Sequence, residues 1–221
     1  MISTLDRQPL VGTLADLYDK AHTQRQSGRP RGARPDVLNS PTASAKERAD
    51  ALSDVYMPIS AVAGRLLYSL VRAAKPTTVV EFGMSYGIST LHLAAAVIDN
   101  GAGHVFTTEL SEKKIAAGSK TFAAAGVDKA ITILKGDALD TLSQVTGEIA
   151  VVLLDGWKEM YLPVLRHIEG QLPAGALILA DNANHSGAAT YLEYVRDPAN
   201  GYTTTNFPGK ENDTMELSCR N

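Results

Sequence analysis

Carboxylates stand in this chain where short apolar runs stop. Glu81 opens the turn Glu81-Phe82-Gly83-Met84-Ser85-Tyr86-Gly87, which follows the run TVV and leads directly into Ile88-Ser89-Thr90. Two glycines let a backbone bend sharply and approach a ligand, and the amino end of a following helix offers free N–H groups to polar atoms. The spacing is not the Gly-x-Gly-x-x-Gly of a dinucleotide site, and a carboxylate two positions before Gly83 would repel a diphosphate. A cationic ligand is favoured instead, such as one carrying an ammonium and a sulfonium. Glu109 closes the next run, HVFTTE, where an acid can accept hydrogen bonds from both hydroxyls of a ribose. Asp137 follows the third run, ITILKG, and could meet an adenine amino group. Each acid alone is more often a turn or cap residue. Three of them at successive run ends, in order, are harder to dismiss.

The fourth run, IAVVLL, ends in Asp155-Gly156-Trp157-Lys158-Glu159-Met160-Tyr161, and the fifth, GALILA, ends in Asp181-Asn182. As neighbouring parallel strands these runs would bring Asp155 within reach of Asp181 and Asn182 on one edge. Two carboxylates and an amide oxygen form a hard donor set, suited to Mg²⁺, Mn²⁺ or Ca²⁺ rather than zinc. The alternative is that Asp155 caps the next helix and Asp181-Asn182 makes a turn. Trp157 reads as a pocket wall, with core packing as a close rival, and His185 as a loop residue.

Positioning these residues requires strands that end level. From Thr77 onward the chain alternates short β-branched runs with helical segments at 89–99, 111–124, 140–143, 160–170 and 188–196, ending in YTTTNFP and TMELSCR around GKEND. That pattern predicts an α/β fold: a doubly wound, Rossmann-like sheet, mostly parallel, with an antiparallel C-terminal edge hairpin and helices on both faces. Ligands in such sheets bind beyond the carboxyl ends of the strands. Leu10, Leu14, Leu17 and Ala21 predict a helix over 9–22, and residues 45–54 look helical. Residues 58–73 look like a second helix with Ile59, Val62, Leu66, Leu67 and Leu70 on its apolar side. The arginine- and proline-rich stretch 23–44 has almost no large apolar residues and reads as a mobile surface segment, either a linker or a lid. One domain over 1–221 is expected, with 1–54 an N-terminal helical and mobile part and 55–221 the ligand-binding core.

Bulk properties narrow the function. A net charge of −3 gives no basic field for a polyphosphate partner, so nucleic acid is a weak candidate. The single cysteine, Cys219, cannot form an intramolecular disulfide. Charged residues interrupt the first twenty positions, no run reaches membrane length, and a cytoplasmic location is expected.

Asp155-x-Trp157-Lys158-x-x-Tyr161, Ala180-Asp181-Asn182 and Glu81-x-Gly83-x-x-x-Gly87-x-Ser89 together resemble the cation-dependent class I O-methyltransferases, the family of catechol and caffeoyl-coenzyme A O-methyltransferases, over about residues 55–217. The resemblance implies S-adenosylmethionine as cofactor, held by Met57, Glu81, Gly83, Ser85, Ser89, Glu109, Asp137, Ala138 and Asp155. It implies that Asp155, Asp181 and Asn182 bind Mg²⁺ (or Mn²⁺ or Ca²⁺) and that Lys158 is the base. A lysine serves so only where desolvation or a nearby cation lowers its pKa from the usual value of about 10.4. The implied acceptor is a hydroxyl of a small molecule, such as a catechol-like vicinal diol, and the implied assembly is a homodimer. Two departures stand out. Gly156 replaces the acid or histidine that some relatives carry, and the C-terminal segment is shorter, with Glu211 near the expected place of a substrate-orienting glutamate. Rival readings are a methyltransferase acting on another nucleophile or on nucleic acid, supported by arginines between 25 and 34 but lacking aromatic residues for stacking bases, and an NAD-dependent oxidoreductase. The last leaves Asp155, Lys158, Asp181 and Asn182 without roles.

Overall fold

The computed structural model describes residues 2–28, 34–38, 40, 42–210 and 212–221. Helices α1 (Leu10–Gln26), α2 (Pro35–Leu38), α3 (Ala45–Ala51) and α4 (Ala61–Ala74) precede a sheet whose strands are β1 (Thr78–Phe82), β2 (His104–Glu109), β3 (Ile131–Lys135), β4 (Val151–Leu154), β5 (Leu177–Ala180), β6 (Tyr202–Lys210) and β7 (Asp213–Arg220). Between the strands lie α5 (Ile88–Asn100), α6 (Glu112–Ala125), α7 (Ala138–Thr141), α8 (Tyr161–Ile168) and α9 (Ala189–Arg196). The strand order is β3-β2-β1-β4-β5-β7-β6, parallel from β3 to β5, with β7 antiparallel to both β5 and β6. The chain order reverses between β1 and β4, the place where doubly wound sheets open a ligand crevice.

Burial explains why the central strands are so apolar. Every residue of β1 and β4 is buried, because helices cover both faces. One apolar cluster joins α1, α4, α5 and α6 to one face, and a second joins α7, α8 and α9 to the other. Leu5, Leu10, Leu14 and Leu17 belong to the first cluster, so the N-terminal helix is part of the core and the boundary expected at residue 54 is not a packing boundary. The expected mobile stretch 23–44 is partly helical: 23–26 finish α1 and 35–38 form α2. Residues 29–33, 39 and 41 lie outside the described residues.

One helix face differs from expectation. Val62 is 77% exposed, whereas Ile59 and Leu67 are buried as expected and α4 buries Ala63, Gly64 and Val71 as well. A Cβ on Gly64 would come within 2.5 Å of the His92 ring, so α4 presses its small residues against α5 and turns Val62 outward. Periodicity weighted by residue size misplaces that one residue. Among the described residues no helix is long and apolar enough to cross a membrane.

The C-terminal hairpin is tied to the helical layer by one buried acid. Glu216 on β7 is 1% exposed; its carboxylate meets Arg196 of α9 at two points, 2.9 and 2.7 Å, and accepts from Asn206 and Thr204, each at 2.8 Å. Burial pushes its pKa up, but the bonds from Arg196, Asn206 and Thr204 outweigh burial and hold it below the ordinary value. Such an acid contributes stability above its unfolded pKa of about 4.3, and that contribution is lost as pH falls through the lower folded value. Arg196→Met is expected to cost about 1–3 kcal/mol in urea unfolding at neutral pH, the loss of charge-assisted hydrogen bonds to a buried group. The difference from wild type should shrink once Glu216 is protonated. An unchanged unfolding midpoint at neutral pH would show that Asn206 and Thr204 suffice.

Candidate active site

The register of the three central strands builds the site. Phe82 pairs with Leu154 and Leu154 with Ala180, so the next residues, Gly83, Asp155 and Asp181, leave the sheet side by side. Asp155 N–H donates to the Phe82 carbonyl at 2.9 Å, and Asp181 N–H to the Leu154 carbonyl at 3.0 Å. Gly83 has φ +102°, and a Cβ there would lie 2.7–2.8 Å from the Asp155–Gly156 backbone. Only glycine lets β1 end this close to β4. Beyond these ends opens a cavity of about 1110 Å³, which reaches from Glu109 and Ala138 on one side to Asp181, Asn182 and Lys210 on the other. That volume is at the upper end of ligand pockets, which run to about 1,000 Å³. It is room for two reactants.

At the first end, Glu109 is set by backbone donors. One carboxylate oxygen accepts from Ser85 N–H at 2.9 Å, the other from Leu110 and Ser111 N–H, each at 2.8 Å. Gly83, Ser85 and Met57 also face the cavity, whereas Ser89 borders a small recess beside it together with Ser85, Met57 and Asp155. Asp137 uses its carboxylate to accept from Leu139 N–H at 2.9 Å, capping α7, and the wall there is made by Gly136 and Ala138. Glu81 lies behind the wall. It is fully buried, accepts from the Thr107 and Thr90 hydroxyls with Ser89 close by, and one of its oxygens has no partner. Burial pushes its pKa up against those three hydroxyls.

At the second end, Lys158 Nζ donates to the Tyr161 hydroxyl at 2.7 Å and lies 3.4 Å from Asp155 Oδ1. The Tyr161 hydroxyl in turn donates to the Asp181 carbonyl at 2.8 Å. Burial pushes the Tyr161 pKa well up, so it stays a donor. Asn182 has φ +53°, and its amide nitrogen bonds Asp213, which leaves the amide oxygen available. Burial and the nearby Asp181 push the Asp155 carboxyl up, against the pull of Lys158 and Lys210, to about 7. A buried carboxylate, Asp181, and a half-buried one, Asp155, at neighbouring strand ends favour added positive charge, and their hard oxygens with the Asn182 amide fit a divalent cation. Among the described residues no group of three His, Cys, Asp or Glu side chains is placed to hold a metal ion, so any such ion would rest on two carboxylates and the amide.

Residues 80–183 match the family model of a methyltransferase domain. A probable O-methyltransferase of Mycobacterium tuberculosis is 33% identical over 144 residues, 60% of this chain and 60% of that protein. Catechol O-methyltransferase of Bos taurus is 29% identical over 140 residues, 60% of this chain and 51% of that protein. The match thus spans only 51–60% of the length of these relatives. The crystal structure of an O-methyltransferase from Bacillus cereus in complex with SAH shares the fold at a TM-score of 0.69 and 18% identity, over 93% of this chain and 100% of that one.

Several residues that line or brace the cavity were not singled out from the sequence. Tyr56 stacks on Tyr86 with centroids 4.1 Å apart, and Gln24 of α1 accepts from Tyr56 N–H at 2.8 Å, which fixes the strap that carries Met57. The Arg48 guanidinium of α3 lies 4.1 Å over the Trp157 ring and bonds Glu159 at 2.8 Å, so Trp157 is a cavity wall with a helix roofing it. Lys114 is 3% exposed at the wall near Glu109, and burial lowers its pKa. His185, exposed on its loop, reaches the rim. Gly156 has a local cause: a Cβ there would come within 2.4 Å of the Phe82 ring, which fills the space a side chain would need. Glu211 lies outside the described residues.

Asp155 gives the fold a measurable pH signature. Its folded pKa of about 7 stands above the unfolded value near 3.9, so it costs stability as pH rises through that window and the loss is complete above it. Asp155→Asn should therefore melt higher than wild type at about pH 8 and little differently at about pH 4. A variant that melts lower at the higher pH would show that Lys158 and Lys210 more than compensate the burial of this carboxylate.

Proposed function

We propose that this chain transfers a methyl group from S-adenosylmethionine to a hydroxyl oxygen of a small molecule, a catechol-like vicinal diol, with the help of a divalent cation. The observation that carries the reading is the single cavity whose two ends differ in chemistry: a backbone-fixed carboxylate, Glu109, at one, and Asp155, Asp181, Asn182 and Lys158 at the other. The names of the relatives, catechol O-methyltransferase among them, agree with that acceptor class. A homodimer in the cytoplasm is part of the same reading.

In this mechanism Glu109 accepts the ribose hydroxyls, and Gly83 and Ala138 offer a close-fitting wall to the nucleoside. Asp155, Asp181 and Asn182 would hold Mg²⁺, which supplies charge that lowers the pKa of a substrate hydroxyl. Lys158, in its neutral amine form, takes the hydroxyl proton at Nζ and becomes an ammonium beside Asp155, kept on line by the Tyr161 hydroxyl. As the oxygen–carbon bond forms, the sulfonium–carbon bond breaks and its electron pair stays on sulfur, leaving neutral S-adenosylhomocysteine. Trp157, roofed by Arg48, excludes water from the acceptor, and holding the two reactants together accounts for much of the acceleration.

Calorimetry is expected to show S-adenosylhomocysteine binding to wild type and NAD not binding, and Glu109→Gln should weaken the former by about 1–3 kcal/mol. Comparable affinity for NAD would remove the cofactor assignment. On the acceptor side, Asp181→Ala should abolish turnover of a vicinal diphenol while leaving S-adenosylhomocysteine binding intact. Lys158→Ala should lower the rate by about 10²- to 10⁴-fold, a loss that shrinks as pH rises and the diphenol ionises unaided. Full methylation in excess chelator would overturn the cation.

A further inference from the structure

Lys210 ends β6 and takes no part in the mechanism above. Its side chain nevertheless enters the acceptor end of the cavity. The strand register slips between Pro208 and Lys210, so the residue is presented off the regular ladder. The ammonium lies 3.6 Å from Asp181 Oδ2, 3.9 Å from Asp213 Oδ2 and 3.4 Å from the Pro58 carbonyl oxygen. All three contacts are longer than the roughly 2.7–2.9 Å of a charge-assisted hydrogen bond. The charge is therefore held by the field of several oxygens and not by one fixed partner. Asp181 is itself only 3% exposed, so the ammonium and a metal ion would compete for the same side of one buried carboxylate. Lys158 already stands on Asp155. Each of the two proposed acidic ligands thus has its own lysine.

We propose that Lys210 is a built-in competitor of the divalent cation: its ammonium neutralises Asp181 and Asp213 in the metal-free protein and must swing out when a metal ion binds. The inference rests on the cation reading above. Like charges cannot share the space between these oxygens, so the affinity of the site is the difference between metal binding and release of the ammonium. The long, four-carbon stem of lysine and its 34% exposure give the ammonium a route to solvent without any change of backbone. Lys210 acts in this way as a specificity-setting residue: a weakly bound cation is excluded, and a strongly bound one displaces it.

The test is calorimetric titration of Mn²⁺ and of Mg²⁺ into the full chain, without cofactor or acceptor, for wild type, Lys210→Met, Lys210→Gln and Lys210→Arg. Circular dichroism checks that each is folded. Removing the charge in the Met and Gln variants should tighten Mn²⁺ at least about tenfold, while the Arg variant, which keeps it, should stay far nearer wild type. If wild type binds Mn²⁺ and the Met and Gln variants bind it equally or more weakly, the competition is overturned while the cation site stands. Absence of Mn²⁺ binding to wild type and to all three variants would overturn the cation reading and this inference with it.

Discussion

Three parallel strands that finish level impose the central constraint on this molecule. β1, β4 and β5 are sealed on both faces, so the first polar positions available after them are their carboxyl ends, and the register places Gly83, Asp155 and Asp181 there together. Two carboxylates in such a place are costly unless positive charge or hydrogen bonds answer them. The surrounding residues can be read as that answer. Lys158 stands on Asp155 and is itself steadied by Tyr161, whose hydroxyl reaches back to the Asp181 backbone; Lys210 stands between Asp181 and Asp213. An arrangement that neutralises acids in the absence of ligand is also one that a cation and an ionising hydroxyl can take over. Stability and chemistry draw on the same charges.

The cavity needs more than the strand ends, and its remaining walls come from far away in sequence. Gln24 of α1 fixes the strap before α4, Tyr56 and Tyr86 stack across its inner side, and Arg48 of α3 covers Trp157. The helix that carries Arg48 begins with a capping box between Ser44 and Glu47, a local device that sets where the guanidinium falls. Residues before the sheet therefore shape the space in which an acceptor would lie, while the sheet supplies the charges. Because the walls are held mainly by single polar contacts and aromatic faces, whereas the charges sit on a rigid sheet, acceptor choice can vary without disturbing the strand ends.

Much of this was legible in the chain itself, for physical reasons. Apolar runs such as VVLL and LILA are long enough to mark buried strands, and acids at their ends are visible as breaks in the pattern. Leu10, Leu14, Leu17 and Ala21 are spaced for one helix face and are the buried residues of α1. Val62 misleads because its size suggests burial, whereas the contact is decided by what is small, Ala63 and Gly64 against the His92 ring. Lys210 and Asp213 were hidden inside a turn-like string, GKEND, since nothing local says that a hairpin will fold its tip over the end of β5. The stack of Tyr56 on Tyr86 and the cover of Arg48 on Trp157 are likewise long-range facts. Side-chain chemistry could be read from the sequence where a strand end fixed it; contacts between distant segments could not.

Glu81 shows how the same residue can be placed correctly in the chain and yet act differently from its first reading. As an acid beside a glycine turn it suggests a charge facing a cationic ligand. In the fold it is fully buried, bonded to Thr90 and Thr107, and burial raises its pKa. A carboxyl so enclosed contributes little direct charge to the cavity, and any influence on a ligand must pass through Ser89 and Thr90 at the start of α5. Among the charged residues that do line the cavity are Glu109, whose carboxylate is already oriented by three backbone N–H groups, and Asp155, which borders both the main cavity and the recess beside Ser85. Asp155 lies between the two ends of the site. A charge at that position can bear at once on a cationic cofactor and on a cation beside Asp181, so among the described residues it is a charged side chain through which the two halves of the proposed reaction would be coupled.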